Sequence, residues 1–268
     1  MKKIFLLISA LVGLYLLLCG LVYLLQEKLI FFPQKLDRSH RFDFPEHFEE
    51  VTIQTNDKKA LHGLLFSKKD TNGLIFYLHG NAGSLEGWGE VAAVYLNLNY
   101  DVFLLDYRGY GKSEGKINSE DQLFSDVQTA YSEMLKLYDE SQIVVLGYSI
   151  GTGPAAKVAS TNNPKLLILQ SPYYSLTDVV NHTIPFIPSF LLKYKLETYR
   201  YVKDCTMPIV LIHGDSDEVI PYSQSLKLQP MLKKSDILIT LKGQPHNGMT
   251  FNPDYVRELK KILVSRRW

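Results

Sequence analysis

Three side chains in the second half of the chain could act together on a carbonyl carbon: Ser149, Asp217 and His246. A serine hydroxyl is a weak nucleophile until a base takes its proton. An imidazole can do so when a carboxylate fixes its tautomer and stabilises its charged form. Ser149 stands in Gly147-Tyr148-Ser149-Ile150-Gly151, after the apolar run Val144-Val145-Leu146 and before the small-residue helical pattern Pro154–Ala159. Strand, tight turn and helix hold a hydroxyl at a sheet edge, above a helix N-terminus whose free N–H groups favour developing negative charge. The two glycines allow the neighbouring backbone to approach. The five-residue pattern is common by chance, so its weight comes from the flanking strand and helix and from its partners.

Those partners follow other apolar runs. After Ile209–Ile212 comes His213-Gly214-Asp215-Ser216-Asp217-Glu218-Val219-Ile220-Pro221. Of its three acids, Asp217 is the candidate to orient a histidine, Asp215 is the alternative, and Glu218 reads as a solvated turn residue. His246 lies in Gly243-Gln244-Pro245-His246-Asn247-Gly248, between the last apolar run and the last helical pattern. His79 reads as a structural loop residue. His40, His47, His62, His182 and His213 have no comparable setting.

The elements that must position these groups are legible as apolar runs. Val51–Thr55 alternates as a strand does, with Leu61–Phe66 as its hairpin partner. Leu74–Leu78, Val102–Leu105, Val144–Leu146, Leu166–Leu169, Ile209–Ile212 and Ile237–Ile239 read as buried strands. Ser119 and Gln122 form a capping box ahead of a helix carrying Leu123, Val127, Tyr131 and Met134 on one face. Asn252 and Pro253 open the last helix as N-cap and first residue. Strands alternating with helices predict an α/β fold: a mostly parallel eight-stranded sheet with helices on both faces, and a site at the carboxyl ends of the strands.

The chain order Ser149, Asp217, His246 is the nucleophile–acid–base order of the α/β-hydrolases. With the His79–Gly83 loop, Asp106–Ser113, the Gly147–Gly151 turn, Ser171-Pro172, the His213–Pro221 block and His246-Asn247, the sequence resembles that superfamily over roughly residues 49–266. More narrowly, it is similar to the membrane-anchored branch holding serine aminopeptidase-like hydrolases and protein depalmitoylases. The resemblance implies an oxyanion hole made by the backbone N–H groups of Asn81 and Ile150. It also makes the aromatic insert at about 172–203 a short lid, with Tyr148, Tyr173, Tyr174 and Phe186 as candidate substrate contacts. It requires neither metal nor cofactor.

Residues Ile4–Leu25 are uncharged and would span about 33 Å as a helix, enough to cross a ~30 Å hydrocarbon layer. The run is too long for a cleaved signal and lacks a small-residue cleavage site; a large residue before Cys19 argues against lipidation. The organisation expected is a tail and single-pass anchor over 1–28, a juxtamembrane segment over 29–48 that lies on the bilayer or packs on the domain, and a hydrolase domain over 49–268. Lys2 and Lys3 outweigh Lys28, which has Glu27 beside it, so the domain is expected outside the cytoplasm.

A balance of 29 basic against 28 acidic residues gives no nucleic-acid footprint. Two cysteines, one in the anchor, predict no disulfide, and no Cys/His spacing suits a metal. Gly109–Ser113 ends like a phosphate loop, but Asp106 stands where such a loop needs glycine. The reading favoured is a membrane-anchored serine hydrolase of carboxylic esters or thioesters with an acyl, lipid-like substrate. The alternatives are a serine peptidase or amidase on the same fold, and a non-catalytic membrane-anchored interaction module.

Overall fold

The apolar runs form the middle of one sheet. In the computed structural model, which describes residues 1–265, every residue of β4 (Leu74–Leu78), β6 (Asp101–Asp106), β7 (Ile143–Tyr148), β8 (Leu166–Gln170) and β9 (Ile209–Gly214) is buried. With β2 (Phe48–Gln54), β3 (Ala60–Phe66) and β10 (Ile237–Leu241) they make an eight-stranded sheet of order β10-β9-β8-β7-β4-β6-β3-β2. Six neighbouring strands are parallel. The β2–β3 and β3–β6 pairs are antiparallel, so the sheet is mixed at that edge. The predicted class holds. One strand differs from expectation: β10 is mostly half-buried, because it is the outermost strand and only one edge of it is paired.

Helices cover both faces. On one, α4 (Glu120–Met134) and α5 (Thr152–Ser160) pack Val127, Tyr131, Ala155 and Ala159 against Phe76, Val145 and Leu167. On the other, α3 (Ala92–Leu96) and α9 (Pro253–Lys260) bring Tyr95, Tyr255 and Leu259 onto Tyr77, Leu146 and Val210. The caps are those the sequence predicts. Ser119 accepts the N–H of Gln122, while Gln122 reaches back to the N–H of Asn118. Asn252 accepts the N–H groups of Asp254 and Tyr255.

The apolar amino-terminal run is helix α1 (Lys2–Ile30), long and apolar enough to cross a membrane. Its last turn does not end at the charged pair Glu27-Lys28 but carries on into the domain. Phe31 is buried edge-on to Tyr194, with ring centres 5.2 Å apart. The short strand β1 (Phe32–Pro33) then pairs in parallel with β5 (Ala82–Gly83). Farther on, Phe44 sits 5.3 Å from Phe66 and fills the space over Gly89, where a Cβ would lie 2.2 Å from its ring. The segment after α1 thus packs on the domain through Phe31, β1 and Phe44.

The remaining helices are α2 (Leu85–Trp88), α6 (Leu176–Thr183), α7 (Thr198–Asp204) and α8 (Ser223–Leu228). The insert containing α6 is anchored from below, with Tyr194 and Leu196 wholly buried, and from the side by α1. Gln26, itself buried, donates to the Leu191 carbonyl at 2.7 Å and accepts the Lys193 N–H at 2.9 Å. Nearer the other end of the helix, the Tyr15 hydroxyl donates to the Phe186 carbonyl at 2.9 Å.

Candidate active site

Strand β7 delivers Ser149 to the rim of the sheet, and its backbone is left-handed there, with φ of 53°. An L-residue adopts that conformation at a cost of order 1–3 kcal/mol, so the surroundings must enforce it. Two close approaches do. A Cβ on Gly147 would lie 2.4 Å from the Gly151 carbonyl oxygen, and a Cβ on Gly151 would lie 2.2 Å from that of Leu78. Only glycine fits at either place, and the turn they permit projects the Ser149 side chain into a cleft.

Nε2 of His246 lies 3.1 Å from Ser149 Oγ, and Nδ1 lies 2.8 Å from Asp217 Oδ2. These partners assign the proton to Nδ1, leaving Nε2 free to accept the hydroxyl. All three side chains are largely shielded from water. Asp217 is held twice more: its Oδ1 accepts the N–H groups of Val219 at 3.0 Å and Ile220 at 2.8 Å. Burial alone would raise its pKa. Hydrogen bonds from His213 and His246, with the His246 charge, outweigh that and hold it below the usual carboxylate range.

The loop bearing His246 is tied at several points. Gly214 leaves room for the Gln244 carbonyl, which a Cβ would meet at 2.0 Å. Gln244 donates to the Asn247 carbonyl at 2.9 Å and accepts from Asn252 at 2.6 Å. The Tyr148 hydroxyl donates to the His246 carbonyl. Asp215 does not reach the histidine ring; its carboxylate accepts the Gly243 N–H at 2.6 Å. Glu218, expected to be merely solvated, accepts the His246 N–H at 3.2 Å despite its exposure.

His213 is the residue sequence reasoning passed over. It is wholly buried, and its Nε2 lies 2.9 Å from the Ile220 carbonyl and 3.2 Å from Asp217 Oδ2. Its Nδ1 lies 2.7 Å from Ser225 Oγ. Two acceptors at Nε2 assign the proton there. The available signal was its place four residues before Asp217, at the end of the same strand.

The cleft holds about 340 Å³ and is lined by Ser149, His246, Asn81, Ile150 and Tyr148, with apolar walls from Leu176, Val180 and Ile220. Leu29 and Ile30 of α1 also line it. Ile150 lies in the first turn after the strand, where N–H groups have no helical acceptor. The Asn81 carbonyl is taken by Tyr110 at 2.6 Å and by the Phe32 N–H at 3.4 Å. The Gly83 carbonyl accepts the Gln34 N–H at 2.8 Å. His79 is wholly buried under this loop, where burial lowers its pKa more than nearby Asp106 raises it, as suits a neutral structural histidine.

Of the candidate substrate contacts, Tyr148 and Tyr173 line the cleft. The Tyr173 hydroxyl, however, is spent on the Ile150 carbonyl and the Gly153 N–H. Tyr174 and Phe186 are not among the residues lining the cleft. Tyr174 stacks on Tyr199 at 4.5 Å, and Phe186 is exposed beside α1. The phosphate-loop resemblance dissolves as well: Lys112 pairs with Glu50 at 2.6 Å, and Ser113 donates to the Asp106 carbonyl at 2.6 Å. Among the described residues, no group of three or more His, Cys, Asp or Glu could hold a metal.

The family profile described as "Serine aminopeptidase, S33" matches residues 69–203, about half the chain. This protein is an α/β-hydrolase. Protein bem46 of Schizosaccharomyces pombe is 28% identical over 229 residues, which cover 78% of this chain and 75% of that protein. Alpha/beta hydrolase domain-containing protein 17C of Mus musculus is 30% identical over 198 residues, covering 70% of this chain and 59% of that one. Among solved α/β-hydrolase folds, the Pyrococcus furiosus esterase Pf2001 superposes with a TM-score of 0.70 at 18% identity, over 87% of this chain and 97% of that one. Est1E from Butyrivibrio proteoclasticus does so with a TM-score of 0.64 at 18% identity, over 81% and 99%.

Proposed function

We propose that this α/β-hydrolase is a membrane-anchored serine hydrolase of carboxylic esters or thioesters with an apolar acyl group. The observation that carries the reading is the continuous relay from Ser149 Oγ through His246 to Asp217 Oδ2, at 3.1 and 2.8 Å, opening on a cleft. In the reaction, His246 Nε2 takes the Ser149 proton as Oγ attacks the acyl carbon. The carbonyl oxygen becomes an oxyanion held by the N–H groups of Asn81 and Ile150. His246 returns the proton to the departing alcohol or thiol, leaving an acyl-serine. Water, deprotonated by the same imidazole, then releases the acid and restores the hydroxyl. Asp217 stabilises the charged imidazole in both halves.

The walls favour acyl over aminoacyl substrates. An aminopeptidase needs an anion for the substrate's ammonium group, and no carboxylate is among the described residues lining the cleft. The anchor reading is supported by the carboxyl-terminal turns of α1. Gln26 and the adjoining Phe31 and Phe32 make bonds and contacts that a cleaved signal would take away. The charge balance at its ends favours a domain outside the cytoplasm, which protease protection in sealed, oriented vesicles tests.

The deciding experiment treats the full chain with a fluorophosphonate and then with p-nitrophenyl esters of graded length. Expected are labelling at Ser149 and turnover that Ser149→Ala and His246→Ala each lower by about four to six orders of magnitude, no further when combined. Unchanged turnover in either variant, or no labelling, rejects the mechanism.

A further inference from the structure

Between Asp178 and Lys193 the insert carries no Asp, Glu, Lys or Arg, and its tip presents large apolar groups outward: Ile184, Phe186 and Phe190 are 38%, 58% and 81% exposed. A soluble surface rarely displays such a cluster without a partner. The tip lies against α1, not over open solvent. The Tyr15 hydroxyl reaches the Phe186 carbonyl, and Gln26 takes both the Leu191 carbonyl and the Lys193 N–H. Tyr15 is near the middle of the uncharged run Ile4–Leu25, so the tip stands beside the part of α1 that would lie within hydrocarbon.

We infer that the tip of the insert, Ile184–Leu191, is immersed in the same bilayer leaflet as the carboxyl-terminal half of α1, and that its partner is the acyl region of the lipid. Irregular backbone is costly there for each polar group left unpaired. In the tip the N–H groups of Phe186, Ser189 and Phe190 have no partner among the described residues, and most of the others are satisfied or removed. Pro185 and Pro188 have no N–H. The N–H groups of Ile184, Ile187, Leu191 and Leu192 are bonded within the insert, to the carbonyls of Val180, Ile184, Pro188 and Ser189. Two further carbonyls are satisfied by polar side chains of α1 itself. Charge returns below the tip: a cavity of about 500 Å³ at the foot of α1 is lined by Glu27, Lys28, Lys116 and Lys193, at the level of the headgroups. Resting on the hydrolase reading, one consequence follows. Leu176 and Val180 of the insert and Leu29 and Ile30 of α1 wall the Ser149 cleft, so an acyl chain would enter it from the leaflet.

The test uses the full chain in phosphatidylcholine vesicles with Cys19→Ala and Cys205→Ala, and a single environment-sensitive fluorophore at Phe190→Cys or, as control, at Leu137→Cys. Leu137 is exposed at the end of the sheet opposite Ser149, just ahead of β7. Expected at 190 are blue-shifted emission, several-fold quenching by doxyl-labelled lipid and little by aqueous iodide, with the reverse at 137. Equal iodide quenching at both positions, without lipid quenching at 190, overturns the inference. The readout does not depend on turnover, so failure of the proposed chemistry would leave it intact.

Discussion

His213 Nε2 lies 3.2 Å from Asp217 Oδ2, the same oxygen that His246 Nδ1 meets at 2.8 Å. The carboxylate that would orient His246 as the proposed base is therefore itself held by a second, wholly buried imidazole. A hydrogen bond to a charged group contributes about 1.5–3 kcal/mol. His213→Ala is expected to lower kcat roughly ten- to a hundredfold with KM little changed, in steady-state ester hydrolysis at a temperature where calorimetry shows the variant folded.

Asp217 also links folding to pH. Its folded pKa is depressed, so its contribution to stability is complete above the ordinary carboxylate value of about 4 and is lost as pH falls through the lower folded value. In thermal melts, the gap in Tm between the wild type and Asp217→Asn should hold at neutral pH and close as the solution is acidified below about 4. The same substitution should cost about 10⁴ in kcat, because the imidazole loses its tautomer.

Gly151→Ala should fail for a reason unrelated to chemistry. Its Cβ would sit 2.2 Å from a backbone oxygen of β4, which cannot swing away as a side chain can. The expected result is a loss of several kcal/mol in urea unfolding, or no folded protein. A variant with wild-type stability would mean the turn at Ser149 is not built as described.

Phe31 joins α1 to the core, and Phe31→Ala should cost about 3–5 kcal/mol of unfolding free energy, as other buried Phe truncations do. Because β1 follows directly and pairs with the loop at Asn81–Gly83, ester turnover should fall as well, measured at a temperature where the variant remains folded. Unfolding monitored in detergent gives the first quantity and p-nitrophenyl ester hydrolysis the second.

The sheet was legible because its central strands are covered on both sides, which forces continuous apolar runs such as Leu74–Leu78. The relay was legible because the fold rule puts chemistry after such runs, and Ser149, Asp217 and His246 each follow one. His213 was not. Chain position alone separates one histidine from another, and nothing in one dimension says that two of them share a carboxylate. The insert's aromatic residues show an apolar segment without showing which way each ring turns, so the sequence points Tyr174 and Phe186 at a cleft they do not line. The end of α1 was not legible because Glu27-Lys28 follows the apolar run, whereas the helix continues to Ile30 and the following Phe31 is core.

Tyr15 and Gln26 are eleven residues apart, about three full turns of helix, and both grip the same segment of the domain. A shaft keyed at two points along one side cannot swivel. With α1 as the proposed anchor, the domain would not roam about a flexible stalk but would ride at one height and one heading relative to the bilayer, and a target would be reachable only if its scissile bond passed at that height.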